Sequence, residues 1–216
     1  MKVCIYGVGA IGGWLGAHLA QAGCQVSAVA RGATLHALNS QGLTLHQAGQ
    51  VIQVPLKASA DPLELGVQDV VIVAVKAPAL SEVAGQMAPL LGPNTVVFTA
   101  MNGVPWWFLQ GFGGAVAGTR LQTIDPTGAI AQGIPAGQVL GGVVHASCAV
   151  DAPGVIRHHF GNGLIVGEPS GQSTARVHNW VDLLVRAGFQ ASVSAQIQKD
   201  IWYKLWGNMT VNPISG

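Results

Sequence analysis

The sequence predicts an α/β protein built on a doubly wound, largely parallel sheet. Two observations carry this prediction. Apolar strands alternate with helical segments over the first half of the chain, and a glycine-rich turn lies between the first strand and the first helix. Parallel strands need crossover connections, which helices usually provide. With 216 residues, half of them hydrophobic, the chain is long enough for one large domain with an extensive core.

The glycine-rich turn follows a predicted strand, Lys2–Tyr6, and opens a helix expected over Ile11–Ala22. The Gly-x-Gly-x-x-Gly spacing of a Rossmann-type dinucleotide-binding loop is present at Gly7, Gly9 and Gly12. In such a loop the glycines permit a tight turn, leave room for a pyrophosphate and let the helix pack closely on the strand. The helix start, including Ala10 and Ile11, would offer free backbone N–H groups to the phosphates. A plain glycine-rich turn is the alternative.

Further elements continue the alternation. The unbroken apolar run Asp69–Val75 is typical of a central parallel strand that is buried on both faces. The other elements predicted in this part are strands at Gln25–Ala30 and Thr95–Thr99, helices at Ala33–Ser40 and Leu80–Leu91, and a small hairpin of Leu43–His46 and Val51–Pro55.

The pattern changes in the second half, where strands follow one another without intervening helices. These strands are predicted at Val139–Val150, Gly154–His159 and Gly163–Gly167. A tight turn at Gly161–Gly163 would join the last two as an antiparallel hairpin. A helix at Ser173–Ala187 and a strand at Phe189–Val193 complete a Rossmann-like dinucleotide-binding domain that we expect over residues 1–195.

Residues 196–216 are expected to begin a second, helical domain that is mostly absent from this chain. The last predicted helix, Asp200–Met209, carries one apolar stripe formed by Trp202, Leu205, Trp206 and Met209. Such a stripe needs a partner. We expect the helix either to fold back on the sheet or, as the favoured alternative, to pack against a C-terminal domain missing from this chain.

Composition argues against several other classes of protein. The net charge of +1 does not suggest a nucleic-acid interface. No apolar stretch reaches the length of a membrane span, and the N-terminus does not have the pattern of a signal peptide. The three cysteines are scattered, which favours reduced structural thiols and shows no metal-ligand spacing. A cytoplasmic protein without a metal site is expected by elimination.

Arg31 follows directly after the predicted second strand. In NAD-preferring domains this region carries an acidic residue that hydrogen-bonds the adenosine ribose, whereas segment 28–34 contains no carboxylate. A guanidinium matches the geometry of a phosphate with two parallel hydrogen bonds. We therefore expect Arg31 to favour NADP over NAD; an exposed arginine that contacts nothing is the alternative.

Lys76 and Asn102 each follow the end of a predicted strand. Ligands of such sheets bind outside the carboxyl ends of the strands, so both side chains are expected at the cofactor crevice. The Asn102 amide could hydrogen-bond a ribose, a nicotinamide or a substrate. The alternatives are an ordinary lysine at a strand end and a simple Asn-Gly turn.

Lys204, Asn208 and Asn212 recur at every fourth position. On one helix this spacing aligns a cation and two amides along one face, which would suit a small acid that carries a carbonyl and a carboxylate. A positioned lysine can donate a proton to a carbonyl oxygen as hydride reaches the carbon. A solvated polar face is the alternative.

Two conspicuous pairs are interpreted as structural. His158 and His159 are adjacent in a strand, so their side chains point to opposite faces and do not easily share a ligand. Trp106 and Trp107 are expected to serve packing rather than recognition, although they border the Asn102 loop and could form the wall of a pocket.

Together these features resemble the ketopantoate reductases (2-dehydropantoate 2-reductases) over nearly the whole chain. The most specific part of the resemblance is the pattern Lys-x-x-x-Asn-x-x-x-Asn-Pro close to the C-terminus. The matching residues are 7–12, Arg31, 75–77, 101–104, 153–158 and 204–213.

The resemblance implies reduction of ketopantoate to pantoate with NADPH, in the pathway to pantothenate and coenzyme A. It implies a cofactor site in which Gly7, Gly9 and Gly12 cradle the pyrophosphate, Arg31 holds the 2′-phosphate and Lys76 lies beside the adenosine end. Asn102 would contact the nicotinamide ribose and border the substrate. Lys204 would be the catalytic acid, and Asn208 and Asn212 would hold the hydroxyl and carboxylate groups of the substrate.

The family continues into a helical C-terminal domain that supplies a serine to the substrate and a glutamate to the cofactor ribose. Nothing in this chain can be assigned those two roles, and a homodimer is possible through that domain. Two other functions stay open: an NADP-binding module without turnover, and a related dehydrogenase, such as an opine or hydroxyacid enzyme, that acts on another 2-oxo acid.

Overall fold

The computed structural model describes residues 1–111 and 113–211. Its strands are β1 (Lys2–Tyr6), β2 (Gln25–Val29), β3 (Leu43–Gln47), β4 (Gln50–Val54), β5 (Lys57–Ser59), β6 (Val70–Val73), β7 (Val96–Thr99), β8 (Val139–Ala152), β9 (Val155–Gly167) and β10 (Gln190–Val193). Its α-helices are α1 (Ala10–Gln21), α2 (Gly32–Gln41), α3 (Leu80–Gln86), α4 (Ala129–Gly133), α5 (Ala175–Arg186) and α6 (Ile197–Val211).

The strands of the described residues form one mixed sheet in the order β4-β3-β9-β8-β7-β6-β1-β2-β5, and β10 pairs with β9. From β8 to β5 all neighbours in this order are parallel, as expected for a Rossmann-type sheet. The pairs β8–β9 and β3–β4 are antiparallel. The α/β class is therefore confirmed, with an extension of mixed strand direction beyond the doubly wound part, since β9 pairs in parallel with β3 and β10.

Two apolar clusters cover the two faces of the sheet. Alternate side chains of β1 belong to different clusters: Val3 and Ile5 pack on the side of α1 and α5, while Cys4 and Tyr6 pack on the side of α3 and α4. Successive side chains of a strand point to opposite faces, so a strand covered on both sides is apolar throughout. This arrangement leaves the carboxyl edge of the parallel strands as the place where polar loops gather.

The predicted hairpin turn at Gly161–Gly163 is wrong. Strand β9 runs without a break through these residues, and the chain reverses instead between Ala152 and Val155. Gly161 has a φ of +81° and lies where the register with β8 shifts. A glycine with positive φ serves a β-bulge as well as a turn, which explains the error.

The helix predicted over Leu80–Leu91 is also too long, because α3 ends at Gln86 and a 3₁₀ turn, Ala88–Leu90, follows. Pro89 explains the difference, since its ring clashes with the carbonyl four residues earlier in an α-helix. The predicted strand Asp69–Val75 is shorter in the structure, and β5 and α4 were not predicted.

Helix α6 begins earlier than predicted and presents a different face to the sheet. Ile197 and Ile201 are its buried apolar residues, at 0% and 7% exposure. Within the described part of the chain, the predicted apolar stripe is largely open, with Trp202, Trp206 and Met209 at least 59% exposed. None of the helices described is long and apolar enough to cross a bilayer.

Candidate functional site

The glycine loop connects β1 to α1 at the carboxyl edge of the parallel strands. Gly7 has a φ of +97°, and a Cβ at this position would lie 2.7 Å from Cγ1 of Val75. A Cβ on Gly12 would collide with the carbonyl oxygen of Gly7. These two glycines are therefore required by the fold itself, because the helix starts in close contact with the strand ends.

Gly9 differs from its neighbours in the loop. A Cβ there would meet no atom within 4 Å, so the protein itself does not require a glycine at this position. Gly9 precedes α1, whose first N–H groups at Ala10, Ile11 and Gly12 have no partner one turn earlier and receive no side-chain cap. Open space beside unpartnered N–H groups fits the pyrophosphate of a dinucleotide.

Arg31 lies just beyond the end of β2 and forms a bidentate ion pair. Its Nη1 is 2.7 Å from Oε1 of Glu82, and its Nη2 is 3.4 Å from Oε2. The hydrogen bond from the guanidinium to Glu82 raises the pKa of Arg31. Arg31 lies beyond the end of β2, where the sequence predicted it, but the sequence did not indicate that Glu82 on α3 would form an ion pair with it.

Lys76 and Asn102 follow the ends of β6 and β7, which are neighbours in the sheet. Because the two strands are parallel, both residues lie at the same edge of the sheet as the glycine loop. Both are exposed. Lys76 begins the short 3₁₀ turn Ala77–Ala79, on the side of the crevice that also carries Glu82.

Lys204 reaches from α6 to the loop after β7. Its Nζ donates hydrogen bonds to Oδ1 of Asn102 at 2.7 Å and to the carbonyl oxygen of Val144 on β8 at 2.6 Å. Burial lowers the pKa of Lys204. The sequence could not reveal Val144 as a partner, because a backbone carbonyl carries no residue-type signal.

Asn208 lies near the same lysine. Residues Asn102, Lys204 and Asn208 line one small cavity of about 10 Å³, together with Gly142 and Ile201. The structure thus brings together three of the four residues predicted to contact the substrate. Asn212, the fourth, lies outside the described residues.

A larger cavity of about 520 Å³ also borders Asn102. Its walls are mostly apolar and include Met101, Trp106, Ile124 and Ile130. Trp106 is 2% exposed, so it packs in the core and also borders a pocket, in line with both interpretations of the tryptophan pair.

His158 has a structural environment. Its ring stacks on Trp14 with a centroid separation of 5.6 Å, and its Nε2 lies 2.5 Å from the carbonyl oxygen of Gly161. His159, the next residue, is exposed.

The fold and the glycine loop place the protein in the class of Rossmann-type dinucleotide-binding proteins. Residues 3–171 match the family described as ketopantoate reductase PanE/ApbA. The chain belongs to this ketopantoate reductase family.

Individual relatives agree with this membership. The chain is 50% identical over 216 residues to a 2-dehydropantoate 2-reductase of Mesorhizobium japonicum, and it spans 66% of the length of that protein. A crystal structure from Ralstonia solanacearum MolK2, provisionally described as a ketopantoate reductase, has a TM-score of 0.95 at 55% identity; the match covers 99% of this chain and 66% of that one.

A more distant neighbour shares the fold alone. The ternary structure of D-mandelate dehydrogenase with NADH and anilino(oxo)acetate has a TM-score of 0.81 at 21% identity, with 99% of this chain and 63% of that chain covered.

Proposed function

We propose that the protein reduces a 2-oxo acid with NADPH and that this acid is ketopantoate, which becomes pantoate. The observation that carries the proposal is the position of the Lys204 ammonium, between the Asn102 amide and the Val144 carbonyl at the carboxyl edge of the sheet. Because the chain spans only 66% of the length of the M. japonicum reductase, the activity of such a whole enzyme is part of the proposal.

The cofactor would be held by the glycine loop and the strand ends. Gly7, Gly9 and Gly12, with the N–H groups of Ala10 and Ile11, would bind the pyrophosphate. Arg31 would bind the 2′-phosphate, Lys76 would lie at the adenosine end and Asn102 at the nicotinamide ribose. When bound, NADPH supplies the hydride.

The residues of α6 would act on the substrate. An ammonium has three N–H donors, and two of them are engaged by Asn102 and Val144. The third would point to the substrate carbonyl oxygen and transfer a proton to it as the carbonyl carbon is reduced, which makes Lys204 the general acid. Asn208 and Asn212 would orient the hydroxyl and carboxylate groups of the acid.

A reductase acting on a bulkier 2-oxo acid is the second candidate. The apolar cavity of about 520 Å³ beside Asn102 favours it, since this space could receive a branched or aromatic side chain. An NADP-binding module without turnover is the third. The proposal includes a cytoplasmic location and a possible homodimer that would form through the C-terminal helical domain of the family.

Fluorescence titration with NADPH, with NADH alongside and with and without ketopantoate, tests the proposal. Tighter binding of NADPH that ketopantoate strengthens further, together with ketopantoate-dependent oxidation of NADPH, is the expected result. Selective NADPH binding that ignores ketopantoate but responds to phenylglyoxylate would favour the bulkier substrate. A folded sample that binds no dinucleotide would refute the proposal.

A further inference from the structure

Helix α3 is fixed beside the carboxyl end of β1. The hydroxyl of Tyr6, the last residue of β1, donates to Oε1 of Gln86 at 2.8 Å. Tyr6 is paired with Val29 on one side and Val73 on the other, so this anchor lies at the centre of the parallel sheet. Glu82 precedes Gln86 by one helical turn and therefore lies on the same side of α3.

Arg31 approaches Glu82 from the opposite side of the crevice. It follows β2, whose last residue is the Val29 that pairs with Tyr6. The ion pair between Arg31 and Glu82 therefore lies beside the carboxyl end of β1, where Gly7 begins the glycine loop. A dinucleotide that used both the loop and Arg31 would have to share the guanidinium with Glu82.

We propose that Glu82 competes with the 2′-phosphate of NADPH for Arg31 and thereby limits the preference of the protein for NADPH over NADH. This inference rests on the proposed function, because it assumes that a nicotinamide dinucleotide occupies the crevice. It assigns to Glu82 a role in cofactor specificity.

The chemistry of the pair supports an exchange of partners. A guanidinium offers two parallel N–H groups in one plane, which match either a carboxylate or a phosphate. The side chains of Arg31 and Glu82 are 65% and 49% exposed, so the pair is accessible to a ligand and is weakly held. A carboxylate left beside a bound phosphate would also repel it. NADH has a neutral hydroxyl at this place and need not displace Glu82.

The test uses two small probes that represent the adenosine half of the cofactors: 2′,5′-ADP, which carries the 2′-phosphate, and 5′-ADP, which lacks it. Calorimetric titrations compare the unsubstituted chain with Glu82→Gln, Arg31→Ala and the double variant. Asp182→Asn, which removes one carboxylate from the exposed side of α5, is the matched control for net charge.

We expect Glu82→Gln to tighten the binding of 2′,5′-ADP by about threefold, in the range of a surface ion pair. The affinity for 5′-ADP should stay unchanged, and Asp182→Asn should alter neither. In the Arg31→Ala background the effect of Glu82→Gln should become smaller, because no guanidinium remains to be shared and only the repulsion between carboxylate and phosphate is relieved.

Two results would overturn the inference. Unchanged affinity of Glu82→Gln for 2′,5′-ADP would show that no competition exists, and equal tightening with and without Arg31 would show that Glu82 acts only as a distant charge. If neither probe binds, the inference falls together with the cofactor assignment. If the probes behave as expected but ketopantoate is not reduced, the proposed function fails and the role of Glu82 stands.

Discussion

The ammonium of Lys204 and the side-chain oxygen of Asn102 are 2.7 Å apart, although the two residues are separated by 102 positions in the sequence. This contact ties α6 to the loop that follows β7. With the Val144 carbonyl as a second acceptor, it fixes the direction of the lysine and leaves one N–H free to meet a ligand.

The first prediction concerns the lysine itself. Lys204→Ala should lower turnover of ketopantoate by about a hundredfold or more, the range of a general acid, because the other described residues that line the small cavity carry no ionisable group. NADPH affinity should change little, since the glycine loop and Arg31 belong to other elements. Initial rates and fluorescence titrations of the same samples provide the comparison. Turnover equal to that of the unsubstituted protein would show that Lys204 is not the general acid.

The second prediction is a pH dependence. The acid form of Lys204 is required, so the rate should fall as pH rises through its pKa. Because burial lowers this pKa, the fall should begin at a lower pH than for an ordinary lysine.

Asn102→Asp tests whether Lys204 controls this pH dependence of the rate. A carboxylate at the position of the amide favours the charged lysine and should move the alkaline limb to higher pH. Asn102→Leu introduces no charge and should not move the alkaline limb to higher pH. A limb that stays in place in Asn102→Asp would show that another group controls the profile.

The sequence predicted the part of the site that depends on local patterns. The glycine loop is visible because three glycines occur at fixed spacing between a strand and a helix. Asn208 lines the same small cavity as Lys204, because residues four apart share one face of a helix. The face of α6 that meets the sheet, with Ile197 and Ile201, was not predicted, because the apolar stripe on another face is more conspicuous in the sequence. Of the two alternatives for that stripe, packing on the sheet is the one that its exposure contradicts.

Contacts between distant elements could not be predicted in this way. The Arg31–Glu82 pair depends on how α3 is anchored to β1, and no spacing in the sequence records that anchor. The bulge at Gly161 has the sequence pattern of a turn, because both need the same backbone conformation.

The third prediction separates two glycines of the same loop. Gly9→Ala should leave stability within about 0.5 kcal/mol, because its Cβ would occupy open space, but it should weaken NADPH binding by blocking the pyrophosphate. Gly7→Ala should lower the free energy of unfolding by at least about 1 kcal/mol, since its φ is +97° and its Cβ would crowd Val75. Urea unfolding and NADPH titration of both variants distinguish these effects. A Gly9→Ala protein that binds NADPH normally would contradict the assigned path of the cofactor.

The fourth prediction tests the 2′-phosphate role of Arg31. Arg31→Ala should weaken NADPH binding and spare NADH, because only the former carries the phosphate that a guanidinium can bind. Lys57→Ala, on β5 at the edge of the sheet, removes a cation outside the crevice and serves as the control for net charge. Equal loss of affinity for both cofactors would place Arg31 elsewhere than at the 2′-position.

The fifth prediction concerns the stability of the second half of the chain. Glu168, at the end of β9, is 3% exposed and accepts hydrogen bonds from Nε and Nη2 of Arg176 at 2.7 and 2.5 Å. Arg176 also donates to the Gly137 carbonyl at 2.6 Å, so the pair joins α5 to the start of β8. Removing one partner of a buried ion pair leaves an uncompensated charge, which costs more than the pair itself contributes.

Arg176→Ala should therefore lower the free energy of unfolding by about 3 kcal/mol, measured by urea denaturation. Arg186→Ala, an exposed arginine in the last turn of the same helix, should cost less than about 1 kcal/mol. The double variant Arg176→Ala/Glu168→Gln should recover part of the loss, because no buried charge remains. If the double variant is less stable than Arg176→Ala, the loss comes from the missing packing and hydrogen bonds of the arginine rather than from the isolated carboxylate.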